Sequence, residues 1–319
     1  MPFKVTEIYE LFVQEGIKED LRTRHQVQDF LKAKKRKLNQ IRSGLKKFFD
    51  KESLSNPYAD LRILYGDPQR KVKRVLVGID IDAGELLLAD RLREKGQEID
   101  LVIAHHPEGI GLSSLYDVMH LQADVLVNLG MSKDVAEGIM AKRIEEVARG
   151  VHSANHTRAI DAARLLDIPL MCCHTPADNH VAGYLQKLFD RKKPTTLKQV
   201  IDILLHEPEY QDAARLNAGP RILVGDADDK AGKVFVDMTG GTEGSKEMFA
   251  RLSQIGIKTF LGMHLSEGSF QRIKTEYMNV VIAGHMASDN LGMNLLLDKL
   301  EKKTDIEIIP CSGFRRFKR

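Results

Sequence analysis

The histidines of this chain are the residues whose placement first points to chemistry. Five of the eleven follow short apolar runs, such as the run at 102–104 that continues into His105 and His106. If these runs are parallel strands, their carboxyl ends lie at one edge of a sheet, where open α/β sheets bind ligands. Packing alone would not place histidines with this bias. We therefore predict one site, formed by His105, His106, His174, His264 and His285.

Two carboxylates follow two of these histidines at the same spacing, which favours a metal site. Asp178 stands four residues after His174, and Asp289 stands four residues after His285. The three intervening residues form a turn or the opening of a helix, which returns the carboxylate to the side of its imidazole. Imidazole and carboxylate together suit Zn, Fe, Mn, Co or Ni, and two carboxylates fit a pair of ions about 3.5 to 4 Å apart.

Strands and helices must alternate if these side chains are to meet. From Val75 onward, short β-branched runs alternate with helical patterns, which is typical of a mostly parallel sheet flanked by helices. The predicted strands are residues 75–81, 99–104, 169–173, 222–224, 233–237, 258–261, 279–283 and 306–310. The predicted helices include residues 85–95, 133–149, 159–166, 246–256 and 290–302. The predicted fold class is α/β, with mostly parallel or mixed sheets.

A basic helical extension is predicted over residues 1–70. Between 27 and 48, apolar residues recur at helical spacing and Lys and Arg fill most positions between them, so an amphipathic helix with a basic outer face is expected. That face is either solvated or a surface for nucleic acid or an acidic partner, and we favour a solvated face. Residues 314–319 are likewise expected to form a solvated basic tail.

Two lobes are expected after this extension. The strand pattern stops between Arg191 and Gly219, where prolines punctuate a helical connector. We place the lobe boundary there. The first α/β lobe, at 71–205, carries the His-His-Pro and His-x-x-x-Asp motifs. The second, at 206–319, carries a glycine-rich turn and a Gly-His-x-x-Ser-Asp motif.

Composition excludes several classes of protein. The chain has 319 residues, and its 48 Lys and Arg against 45 Asp and Glu leave a net charge of +3. This balance excludes a global electrostatic attraction to nucleic acid or membrane. The three cysteines cannot form a disulfide framework, and Cys172 and Cys173 are expected to be buried in a strand. No apolar run reaches the ~18 residues of a membrane span, and no signal peptide is recognisable, so a cytoplasmic protein is expected.

Four motifs together carry a resemblance to a known family. They are His105-His106-Pro107, His174-x-x-x-Asp178, Gly240-Gly241-Thr-Glu-Gly244 and Gly284-His285-x-x-Ser288-Asp289. With them the chain resembles the Ngg-interacting-factor-three-like family, whose members are also called GTP cyclohydrolase 1 type 2 homologues. The resemblance implies two interlocked α/β lobes around a dinuclear metal centre, assembled as a toroidal hexamer. It implies two divalent metal ions per chain and these ligands: His105, His106, Asp178, His285 and Asp289.

Two departures from the family pattern concern the site. Asp289 stands where the family usually has glutamate, which is one methylene longer. The family segment around Trp-Asp-Asn-Val-Gly-Leu is missing, and Asn-Pro-Tyr-Ala-Asp at 56–60 occupies its place. His174 matches a position near the metal ions.

Other polar residues near the predicted site leave alternatives open. Asp80 and Asp82 close the first strand, and they either hydrogen-bond a ligating imidazole or cap the next helix. His264 and Glu267 follow a strand, and their segment serves proton transfer, substrate contact or helix capping. The turn at 240–245 either presents backbone N–H groups to a phosphate at a helix N-terminus or is only a tight turn.

The predicted chemistry is metal-dependent hydrolysis. Two divalent ions would lower the pKa of a bridging water toward ~7, and metal-bound hydroxide would attack a nucleotide-like or other small phosphorylated substrate. His174 or His264 would shuttle the proton to the leaving atom. The family label implies ring opening of GTP. The competing hypothesis is a non-enzymatic hexamer that stores, delivers or senses metal, or a scaffold that contacts nucleic acid through its basic helix.

Overall fold

The structure of the protein, a computed structural model, describes residues 2–319. This part of the chain forms nine strands: β1 (Leu61–Tyr65), β2 (Arg74–Gly78), β3 (Leu101–Ala104), β4 (Leu170–Cys173), β5 (Arg221–Val224), β6 (Lys233–Asp237), β7 (Ile257–Gly262), β8 (Asn279–Ile282) and β9 (Glu307–Cys311). Its α-helices are α1 (Val5–Glu19), α2 (Arg24–Gln40), α3 (Ala83–Glu94), α4 (Gly109–Ser113), α5 (Leu115–Val118), α6 (His120–Asn128), α7 (Lys133–His152), α8 (Arg158–Leu166), α9 (Thr175–Lys192), α10 (Leu197–Leu204), α11 (Pro208–Arg215), α12 (Met248–Gln254), α13 (Glu267–Lys274) and α14 (His285–Glu301). Two 3-10 helices lie at Ser43–Phe48 and Lys51–Leu54. Within residues 2–319, none of the helices combines the length and apolar character needed to cross a membrane.

The strands form two sheets, each mostly parallel. The first sheet has the order β1-β4-β3-β2-β9, and the second has the order β5-β8-β7-β6. One edge strand of each sheet, β1 or β5, runs antiparallel to its neighbour, and the other pairs are parallel. β9 follows the whole second sheet in the chain yet pairs with β2, so the lobes are interlocked. The predicted α/β fold is confirmed.

Two helices, α9 and α14, are buried between the sheets and carry the site. α9 contributes Ala177 to the core of the first sheet and Val181 to that of the second, and α14 contributes Leu297 and Leu291 in the same way. A helix with apolar residues on all sides belongs in a core. At Gly292 a Cβ would lie only 2.4 Å from the carbonyl oxygen of Ala177, so the two helices approach each other closely.

All eight predicted strands overlap strands of the structure, but β1 was missed. Its Arg62 interrupts an otherwise apolar run, which argues against a strand in sequence. In the structure Arg62 is 1% exposed, and its guanidinium pairs with Asp50 and Glu52. A buried guanidinium requires such partners, and sequence alone did not show which carboxylates would supply them.

The N-terminal segment differs from the single basic helix that was predicted. α1 packs against α9 and places Phe12 in the core of the first sheet. The basic segment splits into α2, which ends at Gln40, and the 3-10 helix Ser43–Phe48. Of the expected apolar face only Val27 is buried, whereas Phe48 is 75% exposed. The apolar spacing therefore does not mark a core-facing stripe here.

The prediction of a solvated C-terminal tail is wrong. Phe314 is fully buried in the core of the first sheet. Two of the three arginines that follow pair with acidic side chains at α14 and α11: Arg316 with Asp298 and Glu301, and Arg319 with Glu207 and Glu209. The tail looked solvated because its acidic partners lie elsewhere in the chain.

Candidate metal centre

The predicted histidines lie where strands of both sheets end. His105 and His106 follow β3, His174 follows β4, His264 lies two residues beyond β7, and His285 begins α14 after β8. Parallel register brings the ends of β3 and β4 together. The two sheets meet at this point, since the ring centroids of His106 and His285 are 5.2 Å apart. The structure therefore brings together imidazoles from residues that are far apart in the chain.

Each of the two carboxylates lies near the start of a buried helix, Asp178 in the first turn and Asp289 just beyond it. Asp178 is in α9, and its Oδ2 is 3.6 Å from Nε2 of His174. Asp289 is in α14, and its Oδ2 is 3.5 Å from Nε2 of His285. Residues four apart lie on one face of a helix, so the opening turn returns each carboxylate to its imidazole.

Asp289 is the group on which the imidazoles converge. Its Oδ1 is 3.5 Å from Nε2 of His105, and its Oδ2 is 3.5 Å from Nε2 of His106. Oδ1 of Asp178 is also 3.5 Å from Nε2 of His105. Three overlapping groups of these side chains could hold a metal ion: His105, His106 and His174; His106, His285 and Asp289; and His105, Asp178 and Asp289.

The buried nitrogen and oxygen atoms of the site are better placed to coordinate a cation than to hydrogen-bond with one another. Nε2 of His105, Oδ1 of Asp178 and both oxygens of Asp289 are buried without a hydrogen bond. Burying such atoms unpaired costs free energy, and separations of 3.5 Å are long for hydrogen bonds. Atoms of this type at such separations can share an ion instead.

Hydrogen bonds at Nδ1 orient three of the imidazoles, those of His105, His106 and His174. Nδ1 of His106 is 2.7 Å from Oδ1 of Asp80, and Nδ1 of His105 is 3.2 Å from the carbonyl oxygen of Cys173. Partners of this kind hold a ligating histidine so that Nε2 faces the metal. For Asp80 the imidazole alternative is therefore correct. Asp82 instead caps α3 and pairs with Arg158.

Asp60 is a supporting residue that the sequence did not reveal. Its Oδ2 is 3.0 Å from Nδ1 of His174 and accepts a 2.6 Å hydrogen bond from the hydroxyl of Thr175. Asp60 ends the segment that replaces the missing family stretch, but His174 lies 114 residues away. Only the fold brings the two together.

Comparison with solved structures supports the resemblance that the motifs carry. The chain is similar to a crystal structure of a NIF3 superfamily protein from Sphaerobacter thermophilus, with a TM-score of 0.69 and 29% sequence identity, covering 80% of this chain and 91% of that one. The chain thus resembles a NIF3 superfamily protein in its structure as well as in its motifs. The resemblance to Ngg-interacting factor three seen in its motifs is thus confirmed.

A second solved structure shares the fold of this chain. It is reduced HcgD from Methanocaldococcus jannaschii, with a TM-score of 0.50 and 16% identity, covering 84% of this chain and 94% of that one. No protein-family model and no curated protein matches the chain.

A cleft opens beside these imidazoles. Its empty space, including the open mouth, is about 470 Å³, and its walls include His174, Asp178, His264 and His285. His264 is exposed, its ring centroid is 5.0 Å from that of His285, and it lies outside the three groups that could hold a metal. Beyond it, Ser266 caps α13, which supports the capping alternative for that segment.

The glycine-rich turn at 240–245 does not lead directly into a helix. α12 begins only at Met248. The side-chain amide of Gln122 donates hydrogen bonds to the carbonyl oxygens of Gly240 and Thr242. Gly240 and Gly241 have φ of +94° and +91°, which glycine adopts readily. These features favour the tight-turn alternative over a phosphate site at a helix N-terminus.

Without a metal ion, the side chains of the site shift one another's pKa values. Burial opposes the charged form of His106, but Asp289 and Asp80 outweigh it and raise the pKa of His106 to about 9. Burial would raise the pKa of Asp289, yet the facing imidazoles outweigh it and lower that pKa. For Asp178, burial, reinforced by the charge of Asp289, raises the pKa well above its ordinary value. A bound cation would favour ionised Asp178 and neutral His106.

Metal uptake by this protein is therefore expected to release protons and to weaken as pH falls. With a pKa of about 9, His106 carries a proton at neutral pH, whereas a ligating imidazole is neutral. Affinity should rise as pH increases toward 9 and fall on acidification. Calorimetric titrations at neutral pH, in two buffers of different ionisation enthalpy, should show release of about one proton or more. Identical heats in both buffers would contradict this expectation.

Proposed function

We propose that this chain is a hydrolase of small molecules that depends on divalent metal ions. The observation that carries the proposal is the set of buried imidazole and carboxylate atoms that lack hydrogen bonds and converge beside an open cleft. In this proposal two ions of Zn, Fe, Mn, Co or Ni are held by His105, His106, Asp178, His285 and Asp289. Bound divalent ions lower the pKa of a coordinated water toward ~7 and polarise the bond to be cleaved.

The two remaining histidines have different proposed roles. Asp60 fixes Nδ1 of His174, and Nε2 of His174 faces Asp178. We therefore assign His174 the role of stabilising the charged groups of the site. His264 stands at the mouth of the cleft and, within residues 2–319, its ring has no hydrogen-bond partner. A ring that is free to exchange with solvent is suited to carry a proton to the leaving group. We therefore assign proton transfer to His264 first.

The proposed substrate is a nucleotide-like or other small phosphorylated molecule. Met238, Phe260 and Met263 line the cleft and offer an apolar wall to a flat ring. Because of the family resemblance, the proposal includes ring opening of GTP as a candidate reaction. Assembly as a homohexamer is proposed on the same basis, whereas a cytoplasmic location is proposed from the cysteine usage of the chain.

A second candidate function rests on the exposed basic face of α2. Lys35, Arg36 and Lys37 are exposed, and none of them forms an ion pair with any residue of 2–319. They suit a non-enzymatic, metal-binding scaffold that contacts nucleic acid. Such binding should weaken steeply with added salt and depend on these three residues. Binding that ignores salt or the three residues would exclude this candidate.

A turnover screen tests the hydrolase proposal. The full chain is loaded with each candidate metal and incubated with nucleotides, phosphoesters and cyclic amides. The same preparation after chelation is incubated in parallel. We expect hydrolysis of at least one substrate by the loaded chain, its loss on chelation and its return with metal. His264→Asn should slow turnover while metal content stays unchanged. If no loaded preparation hydrolyses anything, the enzyme proposal fails and metal storage or sensing is favoured.

A further inference from the structure

Asp237 is a carboxyl group of the cleft that the proposed chemistry does not use. It is the last residue of β6, which pairs in parallel with β7, and Asp237 stands opposite Gly262 in the register. Its side chain therefore lies at the same edge of the second sheet as His264, which follows β7. Asp237 and Glu243 line the cleft together with the metal-site residues. This wall of the cleft is acidic.

The carboxyl of Asp237 has no partner of its own. Within residues 2–319 it makes no hydrogen bond and no ion pair. Glu243, in contrast, accepts hydrogen bonds from the backbone N–H and the hydroxyl of Ser266. Burial, reinforced by the charge of Glu243, raises the pKa of Asp237 to about 7. A buried carboxyl that has no hydrogen-bond donor of its own and lies beside an open cleft is placed to accept a hydrogen bond from a ligand.

The cleft also lacks a permanently charged cation beside this wall. Its described lining contains no Lys and no Arg. The titratable groups that share the cleft with Asp237 are Glu243, Asp178 and three histidines, namely His174, His264 and His285. A phosphate placed against Asp237 and Glu243 would face like charge, with no Lys or Arg in the described lining to compensate it.

We propose that Asp237 binds an N–H-bearing group of the substrate, of the amide, amidine or amine class, and so determines which molecules enter the cleft. This inference rests on the proposed function, because it takes the cleft as the substrate site. A phosphoryl group, where the substrate has one, lies toward the metal ligands and away from this acidic wall. Met238, Phe260 and Met263 pack against the apolar body of the same ligand.

A matched pair of small probes tests the assignment. Benzamidine and benzoate share an aromatic ring but present an N–H-rich cation and a carboxylate, respectively. Binding of each to the full, metal-loaded chain is measured by calorimetry at about pH 8, where Asp237 is ionised. The variants are Asp237→Asn and Asp237→Ser. The matched control is Asp228→Asn, since Asp228 is exposed on the loop before β6 and lies outside the cleft.

We expect both Asp237 variants to weaken benzamidine binding about tenfold or more, which is the size expected for a lost hydrogen bond to a charged group. Benzoate binding should stay unchanged or strengthen, and Asp228→Asn should behave as the parent. Melting temperatures confirm that the variants are folded. The inference is overturned if the parent does not bind benzamidine, or if a folded variant binds it as tightly as the parent does.

Failure of the inference and failure of the proposed function give different results. Benzamidine binding requires no turnover, so a chain that binds it through Asp237 yet hydrolyses nothing refutes only the hydrolase. A chain that hydrolyses a substrate with unchanged kcat and KM in Asp237→Asn keeps the hydrolase and loses the role of Asp237.

Discussion

Replacing Asp289 with asparagine is expected to lower metal affinity by more than about 100-fold. Asp289 faces Nε2 of His105, His106 and His285, each at 3.5 Å. Asparagine keeps the shape of the side chain, but it loses the charge and replaces one acceptor oxygen with an N–H2 donor. Removing a supporting partner of a ligand typically costs 10–100-fold, so removing the central carboxylate should cost more.

Elemental analysis of the purified Asp289→Asn chain beside the parent measures this effect. Asp305→Asn is the matched control, because Asp305 is exposed and makes no ion pair within residues 2–319. A thermal measurement gives a second readout. Added metal should raise the melting temperature of the parent and the control, since a ligand of the folded state stabilises it, but not that of the variant. A variant with the metal content of the parent would remove Asp289 from the centre.

The placement of the histidines could be predicted from sequence because it follows from strand direction alone. Once the runs before His105 and His174 are taken as parallel strands, their carboxyl ends must share an edge. The return of Asp178 and Asp289 is equally local, because it requires only one turn of helix. Strand direction alone does not predict that the two sheets meet, which the family resemblance implied and which depends on burying α9 and α14 between them.

Two residues near the site, Asp60 and Asp237, were not recognised in the sequence, for different reasons. Asp60 could not be assigned because its partner His174 lies 114 residues further along the chain. Asp237 could have been recognised in the sequence, because it is a carboxylate at the end of a predicted parallel strand, and Asp80 was singled out for the same reason. The two differ in their surroundings: Asp80 has an imidazole to accept from, whereas Asp237 has no donor among the described residues.

Charge runs were the least informative feature of the sequence. Lys35 in α2 and Arg316 in the tail both belong to basic runs that were predicted to be solvated. Lys35 is exposed, but Arg316 is held by two carboxylates and its side chain is 8% exposed. The difference lies in the acidic residues that the fold presents to each run, which local composition does not contain.

Replacing Phe314 with alanine is expected to destabilise the folded chain by about 3–5 kcal/mol, the usual cost of truncating a buried phenylalanine. Phe314 is fully buried in the same cluster as Leu296, Leu297 and Leu300 of α14. Truncation leaves a cavity that these neighbours fill only in part. Because α14 also carries Asp289, the docked tail supports the helix that supplies the central carboxylate.

Urea unfolding of the metal-stripped chain measures this loss without interference from metal binding. Phe48→Ala is the matched control: the same atoms are removed from a ring that is 75% exposed, so a change within about 0.5 kcal/mol is expected. Phe314→Leu, which keeps most of the buried volume, should cost less than Phe314→Ala. If Phe314→Ala unfolds at the urea concentration of the parent, the tail does not dock on α14 in solution, and the arginine pairs beyond it lose their support.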